Sequence, residues 1–423
     1  MSETIRVLHV LGGVGLGGAE SRIMDLYRQM DRREIQFDFL IHSNAVNHMH
    51  SSAANHIHSD AGNHRHSSAG EAGKVPEKRK KYFAEAAGDN LPGRKPEFYD
   101  NEIHRLGGHI YVLPKFKVYN YFTYKRAVKG FFAEHHEFQV VQGHMTSTAG
   151  IYLPVAHEYG VPVTVAHSRN AGVVKGLKGA ATKFFRRNLA KKADYCFACS
   201  ELAGEDVFGR DAMRQGRVKI IHNAVDVGRF TYDPRKRAKV REELGLGEEL
   251  TLGHVGRFNY QKNHPYLIDI FAALCENRTD AVLLLLGEGP DQESIREKCR
   301  LLGIENKVRF LGNQKHPEDY YQAMDIFLLP SFFEGLPGVL VEAQAAGLRC
   351  LVSDTVTREA QATDLVTYLS IERPAGEWAK RIQTEAGYER RDTCQTMRDA
   401  GFDVKTQAEG YRLFYRKGDT SRL

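Results

Sequence analysis

The chain has 423 residues, of which 42% are hydrophobic and 26% are charged, and this composition is typical of a soluble globular protein with two domains. No apolar run approaches the roughly 20 residues that a membrane-spanning helix requires, and residues 1–12 lack the basic start and apolar core of a secretory signal. We therefore expect a cytoplasmic protein.

The net charge of +6 is unevenly distributed. Residues 1–225 contain 31 Lys and Arg against 22 Asp and Glu, whereas the remaining residues contain 28 against 31. The first half is therefore the better candidate for facing an anionic surface, although an ordinary solvated surface explains the charge equally well. We expect no nucleic-acid partner.

The opening strand, turn and helix of a doubly wound sheet are predicted at the start of the chain. An apolar run at residues 5–12 leads into a glycine cluster at 13–18 and an amphipathic segment at 19–30. The cluster matches G-x-G-x-x-G, but a nicotinamide site also requires an acidic residue after the second strand, where residues 41–44 read IHSN. The glycines instead predict a loop that approaches a phosphate or sugar, with a purely structural turn as the alternative.

A histidine-rich stretch interrupts this pattern. Residues 47–70 read NHMHSSAA, NHIHSDAG and NHRHSSAG, three tandem octads with six histidines. We predict a disordered insertion at about residues 45–96, because the octads contain few apolar residues to bury. The alternative is a weak chelator of zinc, nickel or copper.

Apolar runs separated by helical patterns predict two Rossmann-like domains in tandem. The runs of the first domain lie at residues 37–42, 109–114, 139–144, 161–167, 195–200 and 218–225. After a polar linker, those of the second lie at 251–258, 281–289, 308–313, 326–331 and 349–354. We place the domains at residues 1–225 and 226–399, with a C-terminal helix within 400–423 that packs back on the first.

Three groups of polar residues follow predicted strands. His144 and His167 each come after a strand of the first domain, where a structural role competes with a catalytic one. Arg257 and Lys262 come after the first strand of the second domain, and two cations at that sheet edge suit a diphosphate.

The most informative stretch, PSFFEGLPGVLVEAQAAG, occupies residues 330–347. Its glycines and proline predict a short helix over 338–346, preceded by a loop that carries Glu334. Free N–H groups at the helix start suit a phosphate, and the carboxylates of Glu334 and Glu342 suit hydroxyls of the same ligand, as in a sugar nucleotide.

These motifs resemble those of the retaining glycosyltransferases of family 4, which have the GT-B fold with two domains facing a central cleft. They resemble most closely the exopolysaccharide and capsule-assembly branch, over nearly the whole chain outside residues 45–96. The resemblance rests on GGVGLGGAE (12–20), GHMTSTAG (143–150), AHSRN (166–170), GRFNYQKNH (256–264), LLGEGP (285–290), FEGLPGVLVEAQAAG (333–347) and SDTVTREA (353–360). The chain departs from the family at Arg169, where histidine is frequent, and at Arg349, where proline is common.

The resemblance implies specific roles in the second domain. Glu342 matches the carboxylate that holds the ribose hydroxyls, and Glu334 matches the one that faces the donor sugar. Arg257 and Lys262 match the diphosphate cations. Additional backbone contacts to the nucleotide sugar are implied for Gly335, Leu336, Pro337 and Gly338.

In the first domain, Gly17 and Gly18 match the glycines that approach the diphosphate. His144 matches the active-site histidine near the donor sugar and the attacking hydroxyl. The catalytic residues implied by the resemblance are therefore His144, Glu334, Arg257 and Lys262, with no metal site.

The resemblance also implies an activity. It is the retaining transfer of a hexose from a nucleotide sugar, expected to be a UDP-sugar, to a glycan or lipid-linked acceptor in bacterial surface polysaccharide biosynthesis, without metal or other cofactor. A glycoside hydrolase would also explain two carboxylates, but hydrolysis does not need Arg257 and Lys262. A metal-binding protein would explain only the histidine octads.

A peripheral membrane contact is expected from residues 180–192, which are basic with interleaved aromatic and aliphatic side chains. The contact would lie at the inner face of the plasma membrane. The alternative is an ordinary amphipathic helix that packs Phe184, Phe185 and Leu189 into the domain.

Overall fold

The structure is a computed structural model that describes residues 4–44, 83–85, 94–169 and 177–423. The histidine octads at 47–70 and most of the predicted insertion lie outside the described residues. Within the described ranges, no helix combines the length and apolar character needed to cross a bilayer.

The first domain is built on an eight-stranded sheet. Its strands are β1 (Ile5–Val10), β2 (Ile35–Ser43), β3 (Ala84–Glu85), β4 (Ile110–Pro114), β5 (Phe138–Gly143), β6 (Val163–Ser168), β7 (Tyr195–Ala198) and β8 (Val218–Ile220). Its helices are α1 (Gly18–Gln29), α2 (Asp100–Arg105), α3 (Tyr121–Glu134), α4 (Thr146–Glu158), α5 (Leu177–Arg186), α6 (Glu201–Phe208) and α7 (Arg210–Arg214). The next helix, α8 (Val227–Phe230), packs against helices of the second domain. Short 3₁₀ turns lie at Val118–Asn120 and Leu189–Lys191.

The strand order of this sheet is β3-β4-β2-β1-β5-β6-β7-β8, and only β3 runs antiparallel to its neighbour. The central strands are apolar on both faces because helices cover both sides of a parallel sheet. Val7 and Leu8 of β1 accordingly point to opposite faces and are both fully buried.

The second domain contains a six-stranded parallel sheet of order β11-β10-β9-β12-β13-β14. Its strands are β9 (Leu250–Val255), β10 (Ala281–Leu286), β11 (Val308–Gly312), β12 (Ile326–Leu329), β13 (Arg349–Ser353) and β14 (Val366–Leu369). The remaining helices are α9 (Pro234–Glu243), α10 (His264–Cys275), α11 (Gln292–Leu301), α12 (Pro317–Ala323), α13 (Gly338–Ala345), α14 (Ala375–Glu385), α15 (Cys394–Asp399) and α16 (Val404–Lys417). Short 3₁₀ turns lie at Tyr260–Lys262, Glu305–Lys307 and Arg358–Ala360.

The last helix, α16, packs against the first sheet. Tyr415 meets Phe37 edge-on with 5.9 Å between ring centroids, and Phe414 lies 5.2 Å from Phe197 in the same way. The Tyr415 hydroxyl donates to Gln142 Oε1 of β5 at 2.6 Å, which satisfies a polar group in the core.

One predicted strand is shorter than the sequence pattern indicates. The apolar run at residues 218–225 forms β8 only as far as Ile220. Beyond that point the chain leaves the sheet, and Val225 pairs with the start of α16 instead, donating its N–H to Phe402 O at 2.9 Å. Ile221, Ala224 and Val225 nevertheless remain buried. They lie in the segment at residues 221–225 that leads from the first domain to the second, which we call the interdomain crossing.

Candidate active site

The glycine loop and the start of α13 meet between the two domains. Gly17 precedes α1 in extended conformation, and a Cβ at this position would collide with the carboxylate of Glu20, which folds back over it. No atom lies within 4 Å of the position that a Cβ at Gly18 would take. Across the cleft, Arg22 Nε lies 4.0 Å from the Cβ position of Gly338. The backbone at Gly18 is therefore open, whereas Gly17 is covered by the Glu20 carboxylate.

A carboxylate that the sequence analysis missed holds the glycine loop. The Val14 N–H donates to Glu97 Oε2 at 2.5 Å, and Glu97 is fixed in turn because its own N–H donates to Asp100 at 3.2 Å. Burial raises the pKa of Glu20, and the neighbouring charge of Glu97 adds to the rise. The first-domain wall of the cleft is thus acidic beside the glycines.

His144 lies at the end of β5, half-buried, between His9 and Arg169. The Arg169 Nε–H donates to His144 Nδ1 at 3.4 Å, and His144 Nε2 lies 3.0 Å from His9 Nδ1. A guanidinium has no acceptor, so His144 Nδ1 must be the unprotonated nitrogen and Nε2 must carry the proton toward His9. Arg169 therefore sets the tautomer of His144.

The histidines of this cluster are neutral. Burial lowers the pKa of His9 to about 3, and the charge of Arg169 adds to the effect. Burial also lowers the pKa of His144 and of His167 well below 6.5. His167 accepts from the Gln142 amide at 2.9 Å, so the cluster is linked to α16 through Gln142. His144 is held as a neutral hydrogen-bonding group rather than as a cation.

On the second domain, Lys262 and Glu334 form an ion pair. The Lys262 Nζ lies 2.7 Å from Glu334 Oε1, and the Gln261 amide donates to Glu334 Oε2 at 3.1 Å. Asn259 begins the 3₁₀ turn that positions Lys262, since its side chain accepts from the Lys262 N–H at 3.3 Å. Arg257 is exposed and makes no ion pair within the part of the chain that the structure describes.

The loop before α13 has the predicted form. Helix α13 begins at Gly338 after Pro337, and Gly347 beyond its end has a positive φ of 69° that favours glycine. Leu336 is buried, and its carbonyl accepts from the Asn223 amide of the interdomain crossing at 3.4 Å. The N–H groups at residues 335–338 therefore lie where the two domains meet.

Glu342, one turn into α13, is held from both domains. Arg22 of α1 lies 2.6 Å from Glu342 Oε1, and the Tyr321 hydroxyl donates to Oε2 at 2.9 Å. Burial raises the pKa of Glu342, while Arg22 and Tyr321 oppose the rise. Neither partner was predicted; the only sequence signal for Arg22 is a cation placed among apolar residues of an amphipathic helix.

The site thus brings together the start of α13, the Lys262–Glu334 pair and Glu342 of the second domain with the glycine loop of the first. His144 is linked to it through Arg169 and Asn223, whose amide donates to the Leu336 carbonyl. This is a set of groups that can neutralise a diphosphate and accept hydroxyls. Among the residues that the structure describes, no cluster of three His, Cys, Asp or Glu side chains could hold a metal.

Comparison with known proteins agrees with this geometry. A family model described as Glycosyl transferases group 1 matches residues 236–395, and one described as Glycosyltransferase Family 4 matches residues 82–229. The chain is 33% identical over 414 residues to the Putative glycosyltransferase EpsF of Bacillus subtilis (strain 168), covering 96% of this chain and 94% of that protein.

Two further matches carry information about ligands of the relatives. An Escherichia coli protein named UDP-Gal:alpha-D-GlcNAc-diphosphoundecaprenol alpha-1,3-galactosyltransferase is 25% identical over 226 residues, 52% of this chain and 58% of that one. The crystal structure of Anabaena Alr3699/HepE in complex with UDP matches with a TM-score of 0.63 at 16% identity, covering 97% of this chain and 94% of that one.

Two facing Rossmann-like domains with this site define a GT-B glycosyltransferase, and the predicted fold class is confirmed. The chain belongs to glycosyltransferase family 4, in its exopolysaccharide-type branch, as the sequence motifs predict. It is therefore a transferase of glycan biosynthesis.

Proposed function

We propose that the protein transfers a hexose, with retention of configuration, from a UDP-sugar to a glycan or lipid-linked acceptor in surface polysaccharide biosynthesis. The observation that carries the proposal is the ion pair between Lys262 and Glu334 in the loop before α13, the helix that also carries Glu342. The UDP in the related structure and the UDP-Gal and diphosphoundecaprenol in the relative's name support the donor and acceptor classes.

The cations and the helix end suit a leaving diphosphate. As the bond between the sugar and the β-phosphate breaks, negative charge develops on the phosphate oxygens. Arg257, Lys262 and the backbone of residues 335–338 stabilise this charge in the proposed mechanism, and so it requires neither a metal nor another cofactor. The glycines 17 and 18 approach the same diphosphate from the first domain.

The carboxylates suit hydroxyl binding better than proton transfer. Glu334 is paired with Lys262 and Glu342 with Arg22, so neither resembles the free acid that a glycoside hydrolase needs. We therefore assign Glu334 to the donor sugar and Glu342 to the ribose. Retention then follows from a front-face displacement, in which the departing phosphate takes the proton of the acceptor hydroxyl and His144 lies beside the reacting centre.

An exposed surface of the first domain suits a membrane. Residues 115–129 contain five Lys and Arg and no acidic residue. Residues 179–192 also contain five Lys and Arg and no acidic residue. The two segments touch, since the ring of Phe185 lies 5.1 Å from that of Phe116. The side chains of Val118, Tyr119, Phe122 and Phe184 are exposed along them, and we call this surface the basic aromatic face.

The basic aromatic face combines the two properties that bind an anionic bilayer, positive charge and exposed aromatic rings. Beside it lies a cavity of about 750 Å³ lined by Val118, Tyr121, Ile151 and Phe185 among others. The alternative, packing of this segment into the domain, holds for Leu189, which is buried, and for Phe185, which is partly buried against the core, whereas Phe184 is 68% exposed. We propose peripheral contact of this face with the cytoplasmic side of the membrane.

Calorimetric titration with UDP, GDP and ADP tests the donor class. A second assay then measures nucleotide release from the matching sugar nucleotides, with extracted glycolipid as acceptor. UDP binding in the micromolar range and acceptor-dependent UDP release are expected. Release of sugar from a glycan without any nucleotide would contradict the proposal and favour the hydrolase. The metal-binding alternative concerns residues 47–70, which the structure does not describe.

A further inference from the structure

Arg22 joins the first domain to the ribose carboxylate proposed for the second. Its two terminal nitrogens are both engaged: one donates to Glu342 Oε1 at 2.6 Å and lies 3.5 Å from Asp25 Oδ2, and the other donates to the Ala224 carbonyl at 3.3 Å. Arg22 and Glu342 are both buried, with about 8% of each side chain exposed. The pair connects residues 320 positions apart in the sequence.

The carboxylate of Glu342 has hydrogen-bond acceptor positions that its protein partners do not use. Each carboxylate oxygen can accept about two hydrogen bonds. Arg22 occupies one position on Oε1, and Tyr321 occupies one on Oε2 at 2.9 Å. One acceptor position therefore remains on each oxygen, which matches the two adjacent hydroxyls of a ribose.

We propose that Arg22 is a positioning residue for the donor, which orients Glu342 and balances its charge so that both carboxylate oxygens accept the ribose hydroxyls. The inference rests on the proposed function, because it requires a nucleotide donor at α13. Arg22 itself acts through Glu342 and comes from the opposite domain, so ribose recognition depends on the approach of the two domains.

A second set of ion pairs lies at the same place, in which Arg229 links the two domains and Arg28 pairs with Asp25 of its own helix, α1. Arg229 lies 3.4 Å from Asp25 of α1 and 3.0 Å from Glu318 of α12, and Arg28 lies 2.7 Å from Asp25. None of these cations has an ion pair with Glu342. Loss of Arg22 should therefore affect ribose recognition specifically, whereas loss of Arg28 should not.

The charges that face Glu342 also predict a pH effect. Burial raises the pKa of Glu342 and Asp25 adds to the rise, while Arg22, Tyr321 and Arg229 oppose it. Without Arg22 the pKa of Glu342 rises further, so a larger fraction of the carboxyl is protonated at any given pH. A protonated carboxyl accepts hydroxyls more weakly, so ribose recognition by an Arg22 variant should recover as the pH increases.

The test compares UDP with 2′,3′-dideoxy-UDP, which lacks both hydroxyls, by calorimetric titration. Wild-type protein is expected to bind UDP at least about 10-fold more tightly, since hydrogen bonds to a charged group are strong. Arg22→Ala is expected to bind UDP more weakly than the wild type at pH 6.5 and to prefer UDP over the dideoxy nucleotide by less than about 3-fold. This preference should increase toward pH 8.5. A merely structural role would weaken both nucleotides equally and leave their ratio unchanged.

Arg28→Ala is the matched control and should keep the wild-type ratio. The double variant Arg22→Ala, Glu342→Gln should discriminate no less than Glu342→Gln alone, because Arg22 acts through Glu342. If Arg22→Ala does not fold, Arg22→Gln takes its place and should show the same weakened preference for UDP. The inference is overturned if a folded Arg22 variant prefers UDP over 2′,3′-dideoxy-UDP as strongly as the wild type does. It is also overturned if the wild type shows no preference between the two nucleotides. Absence of binding to UDP, GDP and ADP in the wild type contradicts the proposed function instead.

Discussion

The Nζ atom of Lys262 lies 2.7 Å from Oε1 of Glu334, and both side chains are largely buried. The pair joins the turn after β9 to the loop before α13, so one contact fixes two of the residues assigned to the donor. Arg257, three residues before the turn begins, is exposed. Removal of Lys262 should therefore destabilise the folded protein, whereas removal of Arg257 should not.

Arg257→Ala should reduce kcat/KM by about 100-fold or more, as loss of one charge-stabilising group does in other enzymes, without changing stability. Lys262→Ala should cause a similar loss and also lower the free energy of unfolding by about 2 kcal/mol, because Glu334 is left buried without its charged partner. Steady-state kinetics and urea unfolding measure the two effects.

Arg309→Ala provides the control for these variants. Arg309 is an exposed cation of the same domain, on the edge strand β11, and its loss should leave both activity and stability unchanged. Near-normal turnover in both the Arg257 and the Lys262 variants would contradict their assignment to the diphosphate.

Much of the fold could be predicted because most residues of the central strands are apolar. Strand β10, for example, is buried at every position from Ala281 to Leu286. Strand β14 could not be predicted in this way, because only its first residue, Val366, is buried and the edge of a sheet requires no apolar run. The end of β8 was also misjudged, since burial at the domain crossing gives the same pattern as burial in a sheet.

His144 should contribute as a neutral group. His144→Ala is expected to lower kcat by about 100-fold, within the range for a positioned side chain at the reacting centre. Burial first, and then the charges of Arg169, His167 and His9, lower its pKa well below 6.5. The wild-type kcat should therefore show no decline assignable to His144 as the pH falls from 8 to 6.

Arg169→Gln should change this pH profile. Without the adjacent guanidinium the pKa of His144 rises, so kcat should begin to decline at a higher pH than in the wild type. His157→Ala, an exposed histidine at the end of α4, is the control and should keep wild-type kinetics. An identical pH profile for the Arg169 variant and the wild type would argue against the electrostatic role of Arg169.

The candidate site could be predicted only where a motif is local in sequence. The segment at residues 330–347 contains its loop, helix and both carboxylates, so spacing alone indicated a ligand site. The partners of those carboxylates come from elsewhere: Arg22 lies on α1 and Tyr321 on α12. His9 was missed because a buried polar residue inside an apolar strand has no distinguishing sequence pattern.

The basic aromatic face should bind anionic membranes. Wild-type protein is expected to sediment with vesicles containing phosphatidylglycerol but not with pure phosphatidylcholine vesicles, and high salt should reduce binding. Phe122→Ser with Phe184→Ser should weaken binding about 10-fold, because both rings are more than two-thirds exposed and available to the bilayer. Leu301→Ser removes an equally exposed side chain from the second domain and should have no effect.

His42 predicts how stability depends on pH. Its Nδ1–H donates to the Leu11 carbonyl at 2.9 Å, and its Nε2 accepts from the Tyr124 hydroxyl at 2.8 Å. Burial lowers the pKa of His42 to about 4, opposed by the bond to Leu11. The unfolded chain therefore takes up a proton near pH 6.5 that the folded protein does not, and stability falls as the pH decreases from 6.5 toward 4.

Between pH 7 and pH 5, His42 alone should reduce the free energy of unfolding by about 2 kcal/mol, since one pH unit in this range corresponds to about 1.4 kcal/mol. Urea unfolding of His42→Gln should show a pH-dependent loss smaller by this amount. Tyr124→Phe serves as the comparison: it removes a hydrogen bond and lowers stability, but it should keep most of the pH dependence, because burial is the main cause of the lowered pKa of His42. If His42→Gln lost as much stability on acidification as the wild type, the neutral buried imidazole could not be the cause, and the other buried histidines would account for the acid sensitivity.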